Sequence, residues 1–252
     1  MGDSYSILGE YEASIKMTMT CMEMTPVGQE IVQYPKYGDK IIIERVKSAM
    51  YNLLVGDRYF HHFGVQKARN VRTGDTVEIY MKEKPFFGEP DCNCEGIIKN
   101  SRGDVIFTIE GNWKTHIDFL DQRTGKLIKG LKIAPQPPNH AENFAQPLIT
   151  RNGAHLNESL LKNACPTDSR FRPDLRALVN GDIDIATYEK LRLEDEQRAR
   201  RKIRKEKGEI WDPRWFKLEY DADVGKETWK YKGGYFEKRK EGSWGTDFPK
   251  IF

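Results

Sequence analysis

Lys190, Glu194 and Arg198 carry the first chemical suggestion, because they lie four residues apart. On a helix, positions four apart are neighbours on one face, so the three form a stripe roughly 12 Å long at ~1.5 Å rise per residue. Two cations flanking one anion can grip a phosphate by charge-assisted hydrogen bonds, with the carboxylate holding the cations in place. The same text also fits a solvated face of i,i+4 pairs, each worth about 0.2–0.5 kcal/mol. From Glu189 to Lys207 there are nine Lys/Arg and five Asp/Glu, an excess of four cations.

Other reactive residues are poorly placed for catalysis. His61-His62 lies near Asp57, which would suit acid–base chemistry. Adjacent strand residues point to opposite faces, however, so the two rings are not expected to share a site. His116 and Asp118 share a strand face but have no Ser or Cys nucleophile motif beside them. The chain has no Gly-rich phosphate loop, HExxH or nucleophile elbow. Cys92-Asn93-Cys94 lacks the partner pair of a zinc site. The four cysteines, which include Cys21 and Cys165, read as reduced thiols. Gly181–Asp184 (GDID) reads as a helix cap rather than a calcium loop. We therefore expect no catalytic residues, no metal and no cofactor, and read the chain as not an enzyme.

The elements that must position the stripe follow from local signals. Asp182 or Asp184 can cap a helix start. No Gly or Pro falls between Ile185 and Lys207, Gly208 can stop the helix, and Pro213 lies just beyond. Before it, Pro173 suits the first turn of a short helix that Asn180-Gly181 ends. The first ~120 residues read instead as short strands with Gly/Asp turns. Strand text is seen at Ala13–Met24, Lys40–Val46, Met50–Val55, Tyr59–Phe63, Val65–Arg72, Thr76–Lys82, Ile97–Asn100, Val105–Ile109 and Lys114–Leu120. The fold class is α+β: an antiparallel curled sheet or partial β-barrel, followed by a C-terminal helical segment with one long basic helix.

Composition narrows the class. The 252 residues are 38% hydrophobic and 31% charged, which suits a globular chain rather than a disordered one. A net charge of +3 gives no ground to expect nucleic acid as a partner. No run of ~18 apolar residues is present, so no membrane-spanning helix is expected. The start, MGDSYSILGE, lacks the pattern of a secretory signal, and a cytoplasmic location is expected.

Several unusual blocks occur in a fixed order: TDSRFRPD, GDID, EK-LRLE-EQRARR and WDPRWF, the last from Trp211 to Phe216. In this order they resemble the C-terminal part of the lipid-binding domain of the oxysterol-binding protein family. Earlier turns fit the same resemblance: Tyr37-Gly38-Asp39, Asn52-Leu53-Leu54-Val55-Gly56, Arg72-Thr73-Gly74-Asp75 and Gly111-Asn112-Trp113. The resemblance runs from about Tyr34 to Phe216. It implies a lipid-binding and lipid-transfer protein that takes a sterol or phospholipid and a phosphoinositide, and visits the cytosolic surfaces of organelle membranes peripherally. It also implies that Lys190, Glu194 and Arg198 hold the phosphoinositide headgroup at the mouth of a β cavity.

Two departures carry further expectations. The family's Glu-Gln-Val-Ser-His-His-Pro-Pro block is not in the chain, nor is a stretch for the lid and first barrel strands. The chain thus reads as a single shortened domain. It would comprise barrel strands over 1–133, a Pro-rich connection over 134–150, a helical segment over 151–216 and a tail over 217–252 packing back through its aromatic residues. A cut barrel leaves an unpaired strand edge, so self-association through that edge is expected. The competing reading is a non-transporting module whose basic helix contacts protein or nucleic acid.

Overall fold

The computed structural model describes residues 5–85, 88, 90–132, 163–245 and 248. The Pro-rich connection expected over 134–150 lies outside these residues. The chain divides into two compact units, 1–135 with 220–228, and 136–219 with 229–252.

The first unit is an antiparallel sheet of twelve strands. In chain order these are β1 (Ser6–Gly9), β2 (Glu12–Met17), β3 (Cys21–Val27), β4 (Gln29–Tyr34), β5 (Asp39–Glu44) and β6 (Lys47–Tyr51). They continue with β7 (Tyr59–Asn70), β8 (Thr76–Met81), β9 (Asn93–Lys99), β10 (Val105–Asn112), β11 (His116–Asp121) and β12 (Leu127–Lys132). The main path runs β1-β4-β5-β7-β8-β9-β10-β11-β12, and a branch runs β2-β3-β6-β7. Among the described residues neither path closes on itself, so the sheet is open.

β7 makes the branch. Its first half pairs with β6 (Ala49 opposite His61) and its second half with β5 (Ile43 opposite Ala68). Gly64, at φ +99°, sits between the two halves, a conformation glycine adopts without a side-chain clash. The hairpin turns are closed by side chains that imitate backbone. The Asn70 carbonyl oxygen accepts from the amides of Arg72 and Thr73, and that of Asn100 accepts from Arg102 and Asp104.

Three readings of the strands need correction. Tyr59–Phe63 and Val65–Arg72 are not separate strands but parts of one, β7. Ala13–Met24 is not one strand but the hairpin β2–β3, which turns at Thr18–Thr20 without the usual Gly, Pro or Asn. Met50–Val55 is a strand only as far as Tyr51, and Asn52–Arg58 forms a loop.

The second unit contains a 3-10 turn at Ser169–Phe171 and the helices α1 (Pro173–Val179), α2 (Ile183–Glu206) and α3 (Tyr235–Glu241). Asp182 stands at the N-cap of α2, and Gly208, at φ +65°, follows its C-cap. The TDSRFRPD block builds two two-residue clamps. Asp168 accepts from Arg170 Nε and Nη2 at 2.8 Å each, and Asp174 accepts from Arg172 at 2.9 and 2.7 Å. These guanidinium bonds hold both carboxyls below the usual aspartate range. Tyr235, Trp244 and Phe248 surround Trp215 with ring centroids 5.6, 6.4 and 6.5 Å away.

Strands β13 (Phe216–Asp221) and β14 (Lys226–Tyr231) form a separate hairpin. Its turn belongs to the first unit, where Lys40 Nζ lies 3.0 Å from Asp221 and 2.6 Å from Asp223. Only 3% of the Asp221 side chain is exposed. Burial works against the Lys40 charge, but hydrogen bonds to Asp223 and Asp221 outweigh it and raise its pKa. A raised cationic pKa means this stabilisation is intact below pH ~10.4 and is lost as pH climbs through the folded value. Replacing Lys40 by Met leaves Asp221 buried without its cation, and urea titration should show a loss of about 3 kcal/mol. Adding Asp221→Asn to that variant should restore part of the loss.

Candidate functional site

The registers of β2, β3, β6 and β7 place a set of apolar side chains on one face. Ile15 stands opposite Met24 and Met17 opposite Met22. Met22 stands opposite Met50, and Met24 opposite Ser48. Met50 in turn faces Phe60, and Ser48 faces His62. Directly opposed strand residues share a face, so Ile15, Met17, Met22, Met24, Met50 and Phe60 form one apolar wall. Ile15 is 57% and Met17 69% exposed, so this wall is not covered at its β2 end. Methionine is unbranched and polarisable, which lets such a wall fit ligands of irregular shape.

The wall has a polar border. Ser48 Oγ lies 2.7 Å from His62 Nδ1, and the His62 ring meets Trp113 edge-on at 5.0 Å. His61 also lies beside Trp113, at 6.1 Å, and its Nε2 donates to the Lys82 carbonyl at 2.8 Å. The two histidines therefore meet a common aromatic neighbour, which simple alternation along the strand does not anticipate. Burial lowers the His62 pKa, and the neighbouring His61 adds to this. Such a histidine is neutral when folded but takes up a proton when unfolded near pH 6.5. Stability should therefore fall as pH drops through about 6.5, and His62→Gln should flatten that slope in denaturation curves recorded from pH 7.5 to 5.5.

The stripe on α2 lies in the other unit. Arg198 donates to Glu194 at 3.0 Å and to Asp195 at 2.7 Å. Lys190 is exposed and makes no ion pair among the described residues. Glu194 is half-buried and close enough to Arg172 to contribute, after Asp174, to the raised pKa of that guanidinium. The structure thus joins Glu194 to Arg198 and leaves the Lys190 ammonium one turn away with its donors unused. A second row, Glu189–Arg192–Glu196–Arg200, is linked by pairs of 2.5–3.3 Å. Much of the basic character of α2 is therefore neutralised within the helix.

Among the described residues no group of three or more His, Cys, Asp or Glu is placed to hold a metal. Cys92 and Cys94 are buried free thiols. A depression of about 160 Å³ lined by Ile42, Glu44, Lys67, Arg69, Val77 and Glu78 is smaller than the ~300 Å³ of ordinary ligand pockets. No helix among the described residues is long and apolar enough to cross a membrane.

The class of fold is an open antiparallel sheet with an apolar wall, in one chain with a helical unit. The oxysterol-binding protein family profile matches residues 1–240, and the chain belongs to that family. Its members bind or transfer lipids and are not enzymes. Similar relatives include oxysterol-binding protein-related protein 1C of Arabidopsis thaliana, 33% identical over all of this chain and 31% of that protein. Human oxysterol-binding protein-related protein 7 is 31% identical over 89% of this chain and 26% of its own length. The chain thus spans about a third or less of these two relatives. Among solved structures, the Osh1 ORD domain in complex with cholesterol superposes with a TM-score of 0.83 at 22% identity, covering 99% of this chain and 63% of that one. The Osh3 ORD in complex with PI(4)P, from Saccharomyces cerevisiae, gives 0.74 at 22% identity, covering 99% and 64%. At that identity the likeness establishes the fold.

The methionine wall is the feature the strand text did not reveal. Its signal was present: Met17, Met22, Met24 and Met50 are four of the seven methionines in the chain. Only the pairing of β3 with both β2 and β6 brings them onto one face.

Proposed function

We propose that the chain binds a sterol or phospholipid against the wall of Ile15, Met17, Met22, Met24, Met50 and Phe60, and moves lipid between cytosolic membrane faces. The observation that carries this is an apolar sheet face that stays uncovered at its β2 end, where Ile15 and Met17 are more than half exposed. Cholesterol and PI(4)P, bound by the structural neighbours, are the ligand types that support the reading. In this proposal Lys190, Glu194 and Arg198 recognise a phosphoinositide headgroup. The Lys190 ammonium, which makes no ion pair among the described residues, supplies a cation, and the Glu194–Arg198 pair supplies a positioned guanidinium. Arg201, Arg204 and Lys205 add attraction to anionic leaflets, at about 1 kcal/mol for each cation near the surface. The protein works as one domain in the cytoplasm and is peripheral on membranes. β2, exposed along its length, is the edge on which a second copy would pair.

The interaction-module reading fares worse. Arg192, Arg198, Arg200 and Lys202 are each paired with an acid of their own helix, which leaves a weak field for nucleic acid.

Extraction of phosphoinositide from vesicles tests the assignment. Lys190→Ala with Arg198→Ala should reduce it about tenfold, and Lys202→Ala with Lys205→Ala less than about threefold. Equal losses would mean that α2 contributes only general charge.

A further inference from the structure

Among the described residues of the first unit, the three most exposed non-aromatic apolar side chains lie together at two turns that strand packing does not explain. One is the β2–β3 turn, Thr18-Met19-Thr20, where Met19 is 80% exposed. Its geometry is built: the Thr18 amide and hydroxyl both donate to the Cys21 carbonyl, at 2.8 and 3.0 Å. The other is the β6–β7 loop, in which Leu54 is 70% and Val55 83% exposed. Asn52 closes this loop by taking φ +60° and donating its side-chain amide to the Asp57 carbonyl at 2.9 Å. The two turns are neighbours, since Cys21 pairs with Tyr51 and the Leu53 amide donates to the Thr20 carbonyl at 3.3 Å.

Hairpin turns in water usually carry Gly, Asn, Asp, Ser or Pro at their tips. Here Met, Leu and Val occupy the apex on frameworks that their own hydrogen bonds hold in place. We propose that these twin tips insert into the interfacial layer of a lipid bilayer. The inference rests on the lipid-handling reading above and names the surface by which the chain would reach its lipid. Three side chains at an apex cover far less than the ~800 Å² per partner of a stable protein dimer, whereas a bilayer can surround each of them. The tips also continue into the apolar wall, because Met17 ends β2 directly beside the turn and faces Met22. Nearby charges balance: Lys16 opposes Glu23 across the strands, and Asp57 adjoins Arg58. Insertion is therefore driven by apolar burial and is only weakly sensitive to salt.

The test is co-sedimentation of the whole chain with phosphatidylcholine vesicles. Leu54→Ser with Val55→Ser should lower partitioning about tenfold, the scale expected for burying two aliphatic side chains. Val55→Trp should raise it severalfold over a control spun without vesicles, which removes any gain from aggregation. Unchanged partitioning in both variants overturns the proposal, as does binding that vanishes in 0.5 M salt. Light scattering without vesicles provides the other arm. A wild-type dimer that the Ser variant converts to monomer would make a second copy the occupant and also overturn it. Partitioning through the tips without phosphoinositide uptake upholds the tips and sinks the lipid-carriage reading. Uptake with tip-independent partitioning does the reverse.

Discussion

An antiparallel sheet needs something apolar on the face it does not give to water. In most domains that layer is a second sheet or a set of helices. Here the β2–β3–β6–β7 branch presents Ile15 and Met17 with more than half their surface exposed. The main path does bury some residues fully, among them Ile109 at 1% and Ile42 at 3% exposure. The sheet thus contains both a packed region and an uncovered one. In our reading lipid is the missing layer, and the softness of methionine is what makes one wall serve chains or rings of differing shape.

Polar chemistry in the chain serves largely to hold elements in place. Lys40 ties the hairpin turn at Asp221 and Asp223 to β5, and the Asp168–Arg170 and Arg172–Asp174 clamps fix the approach to α1. On α2 the row Glu189–Arg192–Glu196–Arg200 consumes its own charges. Against that background Lys190 matters more than the total count of cations, because it makes no ion pair among the described residues and its donors are open to a headgroup. Glu194 then has two roles: it orients Arg198 and lies near Arg172.

How much of this was legible depended on whether the cause was local. The long helix was readable because its determinants are local: no breaker from Ile183 to Glu206 and Gly208 just after it, whereas Asp182 at its N-cap makes no side-chain capping bond. The TDSRFRPD clamps were visible as a block but not as chemistry, since nothing in the text says that Arg170 turns back to Asp168 while Arg172 reaches forward to Asp174. The β2–β3 hairpin was missed because Thr18-Met19-Thr20 lacks turn residues, and Leu53-Leu54-Val55 was read as strand because it is apolar. At both tips the apolar residues are exposed rather than packed. The wall itself could not be read locally, since it depends on β3 having partners on both sides.

The central claim is that lipid lies against the methionine wall. Carbon-13 labelling of the methionine methyl groups tests it most directly, because each reports its own surroundings. On addition of a soluble sterol or short-chain phosphoinositide, the Met17, Met22, Met24 and Met50 signals should shift together and saturate at one concentration. If those four signals stay in place while the lipid is demonstrably bound, the wall is not the lipid site and the account is wrong.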